Sequence, residues 1–585
     1  SIVDVPGHEK FVKTMVAGAF GIDMVLFIVA ADEGVMPQTR EHLDICSLLG
    51  VPAGVVALTK IDMVDAEMAE LAREDVSELV KGTFLENAPV VPVSAVTGEG
   101  IELLKGEISK LADSIKTKDA KGLFRLPVDR VFTMKGFGTV VTGTLLTGSV
   151  KRDDDVVILP SGKEAKVRGA QVHGETVDKA YAGSRTALNL SGVGVDEIDR
   201  GDIVAHPGEM EATYMVDARL RILPSAEKPL KDRQKLRLHI SAREVPVTVS
   251  ILGGGVLEAG GEGFVQLRSR EKFIACPSDR FVLRGFSPAR TVGGGTILDH
   301  RPSRHKGKHE NALERLEKLG SEDAEERLKT FLELRRHAGL TPKEAQAALL
   351  VTLDDARNLL QKAVQKGWCA VADRKAQRHV SLSFIGETAA KILSLLGDFH
   401  RENPLRRGMG VGELRSKFPS WLDEKIVQFT IERLIAEKKV DSEGDFIFRS
   451  DFKVSFNEKD EGLRTLVMKI VRESGFEGPT VEYLAEKAQS QTAAVKPVAS
   501  FLVAEGELAR TKEGFYFEAA LMDGFIIKVR ELLAQKGEIT IADVKELTGA
   551  SRKYTIPLAE FLDSARVTMR KGEVRVAGPK GRVQG

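Results

Sequence analysis

Val55-Val56-Ala57-Leu58-Thr59-Lys60-Ile61-Asp62 reads as a buried strand that ends on a polar turn. Four apolar residues in a row suit a strand covered on both faces. The turn fits the pattern (Asn/Thr)-Lys-x-Asp, whose chemistry is base reading. The Asp62 carboxylate would accept two hydrogens from the edge of a guanine, and the Lys60 stem would pack on the ring. Thr59 stands where Asn is commoner.

Working outward, strand-like runs recur at residues 25–30 and 90–93, and helical ones at 38–49, 66–81 and 101–116. Strands alternating with helices predict a parallel sheet covered on both faces over residues 1–117. Ser94-Ala95 follows the 90–93 run, at the position where a backbone amide reads the guanine O6. The chain opens on Asp4-Val5-Pro6-Gly7-His8. In such an Asp-x-x-Gly turn the aspartate holds a magnesium-bound water and the glycine amide donates to a γ-phosphate; a side chain there would block the approach. Three turns in this order, each after a strand, fall on the ligand-binding edge of an α/β sheet.

No Gly-x-x-x-x-Gly-Lys-(Ser/Thr) phosphate loop occurs in the sequence. Neither Gly162-Lys163 nor Gly307-Lys308 is followed by Ser or Thr. The chain begins with Ser1, not Met. The expectation is that a first strand, a phosphate loop and a threonine switch precede Ser1, and that the chain as given does not bind GTP tightly.

The remainder changes texture twice. Residues 118–306 carry short strand-like runs separated by glycine turns, which predicts β-barrels. A break near Glu211 divides them into 118–210 and 211–306. From about residue 309 the pattern is helical, with a weak repeat of roughly 60–70 residues, inside the usual domain range. The repeats end at Leu359-Leu360, Leu434-Ile435, Phe501-Leu502 and Phe561-Leu562, each followed by a hairpin signal. Three helices and a hairpin make a winged helix, so four are expected, at 307–383, 384–452, 453–520 and 521–585.

Composition bounds the partners. The 585 residues are 42% apolar and 29% charged, the balance of folded domains, which excludes wholesale disorder. Lys plus Arg equals Asp plus Glu at 85 each, so any basic surface must be local. Cys46, Cys276 and Cys369 lie far apart, which argues against a zinc site and a disulfide scaffold and fits a reducing cytosol. The longest apolar run, 24–31, is too short to span a bilayer, and no signal peptide is present.

A GTPase domain followed by two β-barrels resembles elongation factor Tu, but the helical half does not. Asp4 to His8, Val35-Met36-Pro37-Gln38-Thr39-Arg40-Glu41-His42 and Thr59 to Asp62 are similar to the bacterial selenocysteine-specific elongation factors. So are Asp129-Arg130-Val131-Phe132, Gly136-Phe137-Gly138-Thr139-Val140-Val141-Thr142-Gly143-Thr144, Asn403-Pro404-Leu405-Arg406-Arg407-Gly408-Met409 and Ser551-Arg552-Lys553-Tyr554. That family also tends to carry Thr at the position of Thr59.

The resemblance implies an incomplete P-loop-type α/β GTPase domain, two β-barrels and four tandem winged helices. It implies a cytoplasmic monomer without a membrane partner, using GTP and Mg2+. It would deliver selenocysteyl-tRNA to a ribosome paused at a UGA codon marked by an mRNA hairpin, the SECIS. His8 would orient the attacking water, with Asp4, Gly7, Thr59, Lys60, Asp62, Ser94 and Ala95 around the nucleotide and Asp4 reaching the metal through water. Arg130 and Arg185, with Asp129 beside them, match the family's aminoacyl pocket. A selenol is more acidic than a thiol, so a cationic pocket separates it from neutral serine.

The RNA signal lies in the last unit. After Gly549-Ala550, Ser551 suits a helix N-cap, and a helix would run to about Asp563, with Pro557 expected to kink it or move its start later. Residues 551–585 carry eight Lys or Arg against three acids. The mRNA-binding set would be Ser551, Arg552, Lys553, Tyr554, Arg566, Arg570 and Lys571, with Arg575 also counted in the basic edge beside the wing; the basic residues would meet phosphates, and Tyr554 an unpaired base. Two other readings stay open: a GTPase delivering another aminoacyl-tRNA, and, for a complete chain, a non-hydrolysing RNA adaptor.

Overall fold

The structure, a computed structural model, describes residues 3–5, 15–16, 20–115, 120–134, 138–305, 310–452 and 458–579. Gly7 and His8 lie outside the described residues. The chain forms two bodies, residues 1–384 and 385–585.

The first body opens with a parallel sheet of β1 (Val25–Ala30), β2 (Gly54–Thr59) and β3 (Val90–Pro92), β2 in the middle. Three helices follow the strands: α1 (Pro37–Leu48), α2 (Ala66–Val80) and α3 (Ile101–Ser114). Val56 and Leu58 share a core with Ala72, Val76 and Val80 of α2, while Val55 and Ala57 pack with Val91 and Val93 against Ile101, Leu104 and Ile108 of α3. Both faces of β2 are therefore covered, which is why its sequence is an unbroken apolar run. Pro37 starts α1 with its φ already helical. The Asp65 carboxylate caps α2 by accepting from the Met68 amide at 2.8 Å.

The first barrel is an eight-stranded antiparallel sheet. Its path ends with the neighbours Arg185–Ser191, Gly138–Thr144 and Arg130–Met134. Val141, Val156, Ile158, Val167 and Leu188 fill its core. The second is a closed barrel of six strands, from Thr213–Ile222 to Thr291–Asp299. The first winged helix completes this body. It carries four helices rather than three, because Glu310–Leu319 precedes the expected set.

Charged contacts tie these domains together. The buried Arg125 guanidinium of the first barrel donates to both oxygens of Asp279 in the second, at 2.8 and 2.9 Å. Arg335 of the first winged helix pairs with buried Asp299 at 2.7 Å, beside Leu252 and Leu298, which join that unit's core. Ile45, Cys46 and Leu48 of α1 pack on Leu223 and Val282, while Glu41 accepts from Thr291 at 2.8 Å and Arg284 at 3.3 Å.

The second body holds three winged helices. Their third helices are Glu424–Ala436, Thr492–Ala504 and Arg552–Ser564. The expected boundaries fall near the first helices of units two and four, Leu382–Glu402 and Ala519–Lys536, which begin slightly earlier than residues 384 and 521. Pro557 does not move the start of its helix later, and Pro497 occupies the same position one unit earlier. The first turn closes ahead of the ring: the Tyr554 and Thr555 amides donate to the Ser551 carbonyl at 3.0 and 3.1 Å. The Thr555 hydroxyl adds bonds to Ser551 and Ala550 at 3.0 and 3.2 Å. Pro497-Val498-Ala499-Ser500-Phe501-Leu502 and Pro557-Leu558-Ala559-Glu560-Phe561-Leu562 are one pattern repeated. Among the described residues no helix is long and apolar enough to cross a membrane.

The Arg125 pair yields a prediction. Asp279→Ala strands a buried guanidinium and should cost about 3–5 kcal/mol, whereas adding Arg125→Met should return a large part of that loss. Calorimetry on the wild type and both variants checks it; a double variant no more stable than Asp279→Ala contradicts the pairing.

Candidate functional site

The C-terminal ends of the three parallel strands gather the first candidate site. Thr59 ends β2 in register with Ala30 of β1, and its hydroxyl donates to the Val29 carbonyl at 3.4 Å. Lys60 follows in the left-handed region, φ 58°. Its ammonium reaches Asp32 at 2.9 Å and Glu33 at 3.2 Å, on the loop after β1. Those hydrogen bonds, Asp32 first and then Glu33, raise the Lys60 pKa. Asp62 is exposed, within the short helical turn Ile61–Met63, and has no hydrogen bond or ion pair among the described residues.

The Ile61 amide donates to the Val93 carbonyl at 3.5 Å, tying this turn to the loop after β3. There the buried Ser94 hydroxyl accepts from the Val96 and Thr97 amides at 3.2 and 3.0 Å, leaving Ala95 exposed on the turn. Thr59, Lys60, Asp62, Ser94 and Ala95 thus share one edge. This edge fits the base side of a guanine nucleotide: an exposed, unpaired carboxylate stands beside a fixed lysine. Asp4 is exposed, while Gly7 and His8 lie outside the described residues. Sequence reading missed Asp32 and Glu33, whose only signal is two acids directly past β1.

The second candidate is the outer face of the first barrel. Arg130 is opposite Thr142 and Arg185 opposite Thr144, so both arginines flank the strand Gly138–Thr144 on one face. Val131, Val141 and Leu188 pack on the other face, in the core. Asp129 pairs with Arg185 at 2.7 Å and accepts from the Thr142 hydroxyl at 2.7 Å. Arg130 is exposed, and among the described residues no carboxylate pairs with it. The three residues do come together, with Asp129 neutralising Arg185 rather than its chain neighbour.

The third candidate is the basic edge of the last unit. Arg552, Lys553, Arg566, Arg570 and Lys571 are all exposed. Ser551 sits at the N-cap position, but its side chain makes no capping bond. Tyr554 is half-buried, packed edge-on against Phe515 with ring centroids 5.1 Å apart. Arg575 does not belong to this edge. Its side chain is 4% exposed and donates to Asp563 at 2.9 Å beneath the wing.

Comparison with known proteins follows this geometry. The elongation factor Tu GTP binding domain family matches residues 1–120, elongation factor Tu domain 2 residues 138–205, and the selenocysteine-specific elongation factor beta-barrel domain residues 217–304. Two elongation factor SelB winged-helix families match residues 393–447 and 531–577. The selenocysteine-specific elongation factor of Desulfomicrobium baculatum is 41% identical over 98% of this chain and 90% of its own. That of Escherichia coli K12 is 29% identical over 97% and 89%. A crystal structure of a bacterial selenocysteine-specific elongation factor, EF-Sec, superposes with a TM-score of 0.65 at 26% identity, covering 98% of this chain and 89% of that one.

An elongation-factor GTP-binding domain, two barrels and winged helices in one chain define a translational GTPase with a helical extension. Within that class, the chain belongs to the family of selenocysteine-specific elongation factors.

The burial of Arg575 separates it from its neighbours. Arg575→Ala should destabilise the last unit by about 1–3 kcal/mol through the stranded Asp563, yet leave the salt dependence of RNA binding unchanged. Thermal unfolding with RNA titrations at several salt concentrations checks both, and a flattened salt slope would return Arg575 to the RNA face.

Proposed function

We propose that this protein delivers selenocysteyl-tRNA to the ribosome in a GTP-dependent manner, at UGA codons marked by a SECIS hairpin, and that its last winged helix binds the hairpin. One observation carries the reading: kinship to selenocysteine-specific factors runs through both the GTP-binding half and the winged-helix half of one chain.

Asp62 reads the guanine edge, Lys60 packs on the base, Thr59 closes the strand beneath them, and the Ser94-Ala95 turn presents an amide to O6. Asp4 and Gly7 serve the magnesium-bound water and the γ-phosphate, and His8 orients the attacking water. Bound GTP with magnesium supplies the hydrolysis that releases the tRNA. Arg130, with Arg185 and Asp129, receives the selenol anion. Because Asp129 already neutralises Arg185, Arg130 supplies the larger share of the discrimination. Arg552, Lys553, Arg566, Arg570 and Lys571 meet RNA phosphates around the helix that begins after Ser551. Each phosphate contact steepens the salt dependence. The ribosome is the third partner, and the cytoplasm is where all three meet.

The deciding experiment compares cargoes. Arg130→Ala should weaken selenocysteyl-tRNA binding about tenfold or more while changing the affinity for the same tRNA charged with serine far less, and Arg185→Ala should have a smaller effect of the same kind. Equal losses for both aminoacyl forms would assign the arginines to the tRNA backbone or the fold. Asp62→Asn should lower GTP affinity roughly tenfold or more and shift preference toward XTP, because the carboxylate acceptor becomes in part a donor. Competition binding with both nucleotides reads it; unaltered GTP affinity removes Asp62 from base recognition.

A further inference from the structure

The third winged helix reaches into the fourth. Its hairpin, Leu508–Arg510 paired with Tyr516–Glu518, turns through residues 511–515. The turn is closed by the Gly514 amide on the Thr511 carbonyl at 3.1 Å and the Thr511 amide on the Phe515 carbonyl at 3.0 Å. Gly514 has φ 92°, a conformation that side chains resist. This turn delivers Phe515, 7% exposed, into the core of the fourth unit, where Phe517, Phe476 and Ala509 of the third unit join Phe525, Val529, Leu558 and Leu562. The third unit keeps a core of its own around Val467, Leu484 and Val498, and the fourth unit's core is completed by residues of the third.

Phe515 also touches the basic edge. Its ring meets Tyr554 at 66°, edge to face. The Lys553 ammonium lies 5.3 Å from the Tyr554 ring and 5.8 Å from Phe515. A lysine on a helix surface ordinarily samples many rotamers and loses them on binding. Here two aromatic faces attract the cation and narrow that sampling before RNA arrives. Tyr554 is likewise fixed by Phe515, so its ring is presented in one orientation.

We infer that Phe515 of the third winged helix is a positioning residue for RNA recognition by the fourth, holding Lys553 and Tyr554 in place so that the two units read RNA as one body. The inference rests on the proposed reading of the last unit as the hairpin-binding one. It also gives the third unit a part in RNA recognition. Phe515 need not touch RNA; it acts through Lys553 and Tyr554 by lowering the entropy cost of fixing them.

The test is a coupling measurement on the full chain. The probe is the stem-loop immediately downstream of a UGA selenocysteine codon, with a scrambled stem-loop of equal length as control. Phe515→Leu should weaken probe binding roughly three- to tenfold, the cost of fixing one or two side chains on binding. Lys553→Gln should weaken it and flatten the salt slope by somewhat under one unit. In the Phe515→Leu background, Lys553→Gln should cost clearly less than alone, since the lysine is no longer held. Phe515→Tyr, which keeps the ring, should keep the full Lys553 effect. Phe515→Met serves as the second apolar variant where Phe515→Leu lowers the unfolding temperature below the titration temperature. Additive losses, with hairpin preference intact, overturn the positioning role and leave the hairpin assignment standing. Equal binding of probe and scrambled stem-loop by the wild type overturns that assignment, and the inference with it.

Discussion

The second barrel is the hub of the first body, and a charged contact fixes each neighbour to it. Arg125 and Asp279 hold the first barrel, Glu41 with Thr291 and Arg284 holds α1, and Asp299 with Arg335 holds the first winged helix. Apolar patches lie beside these contacts and supply the attraction. Such patches are non-directional, so packing alone would tolerate sliding. A guanidinium engaging both oxygens of a buried carboxylate sets distance and angle together. Buried pairs add little net stability over an apolar replacement. Their contribution here is orientation, keeping the sheet edge that carries Lys60 and Asp62 and the arginine-bearing barrel face in one geometry.

Much of this architecture was legible in the sequence, for identifiable reasons. β2 is an unbroken apolar run because both its faces are covered, and the turn at its end fits (Asn/Thr)-Lys-x-Asp. The sequence-read helices agree with α1, α2 and α3 to within a residue or two; Pro37 marks the start of α1 and the Asp65 cap that of α2. The partners of Lys60 were not legible. Asp32 and Glu33 lie 28 and 27 residues away, and only the parallel pairing of β1 with β2 brings them close. Asp129 carries the same lesson. Its chain neighbour Arg130 was as good a partner by sequence as Arg185, and only the pairing of Arg185–Ser191 with Gly138–Thr144 brings Arg185 to the Asp129 carboxylate, which Thr142 of that strand also bonds.

Arg575 is the clearest misreading of charge. It lies between Val574 and Val576, and ordinary alternation would put the valines inside and the arginine outside. The face is inverted because Asp563, at the end of the preceding helix, lies under the wing and accepts from Arg575, with the Thr568 hydroxyl beside it. A local charge count cannot distinguish a strut from a contact surface. The same blindness hid Tyr554: an aromatic after two basic residues suggests a stacking platform, but Phe515, 39 residues earlier in the chain, covers its edge.

Burying Arg575 does not weaken the electrostatic case for the last unit. The strut withdraws one positive and one negative group together, so the excess of basic over acidic residues in 551–585 stays as it was. Arg552, Lys553, Arg566, Arg570 and Lys571 remain exposed. The balance of 85 basic and 85 acidic residues over the chain does not cancel that field. At physiological salt an exposed charge is screened over about 8 Å, so acids well beyond that distance contribute little at this edge. A neutral protein can therefore present a strongly cationic edge at one place.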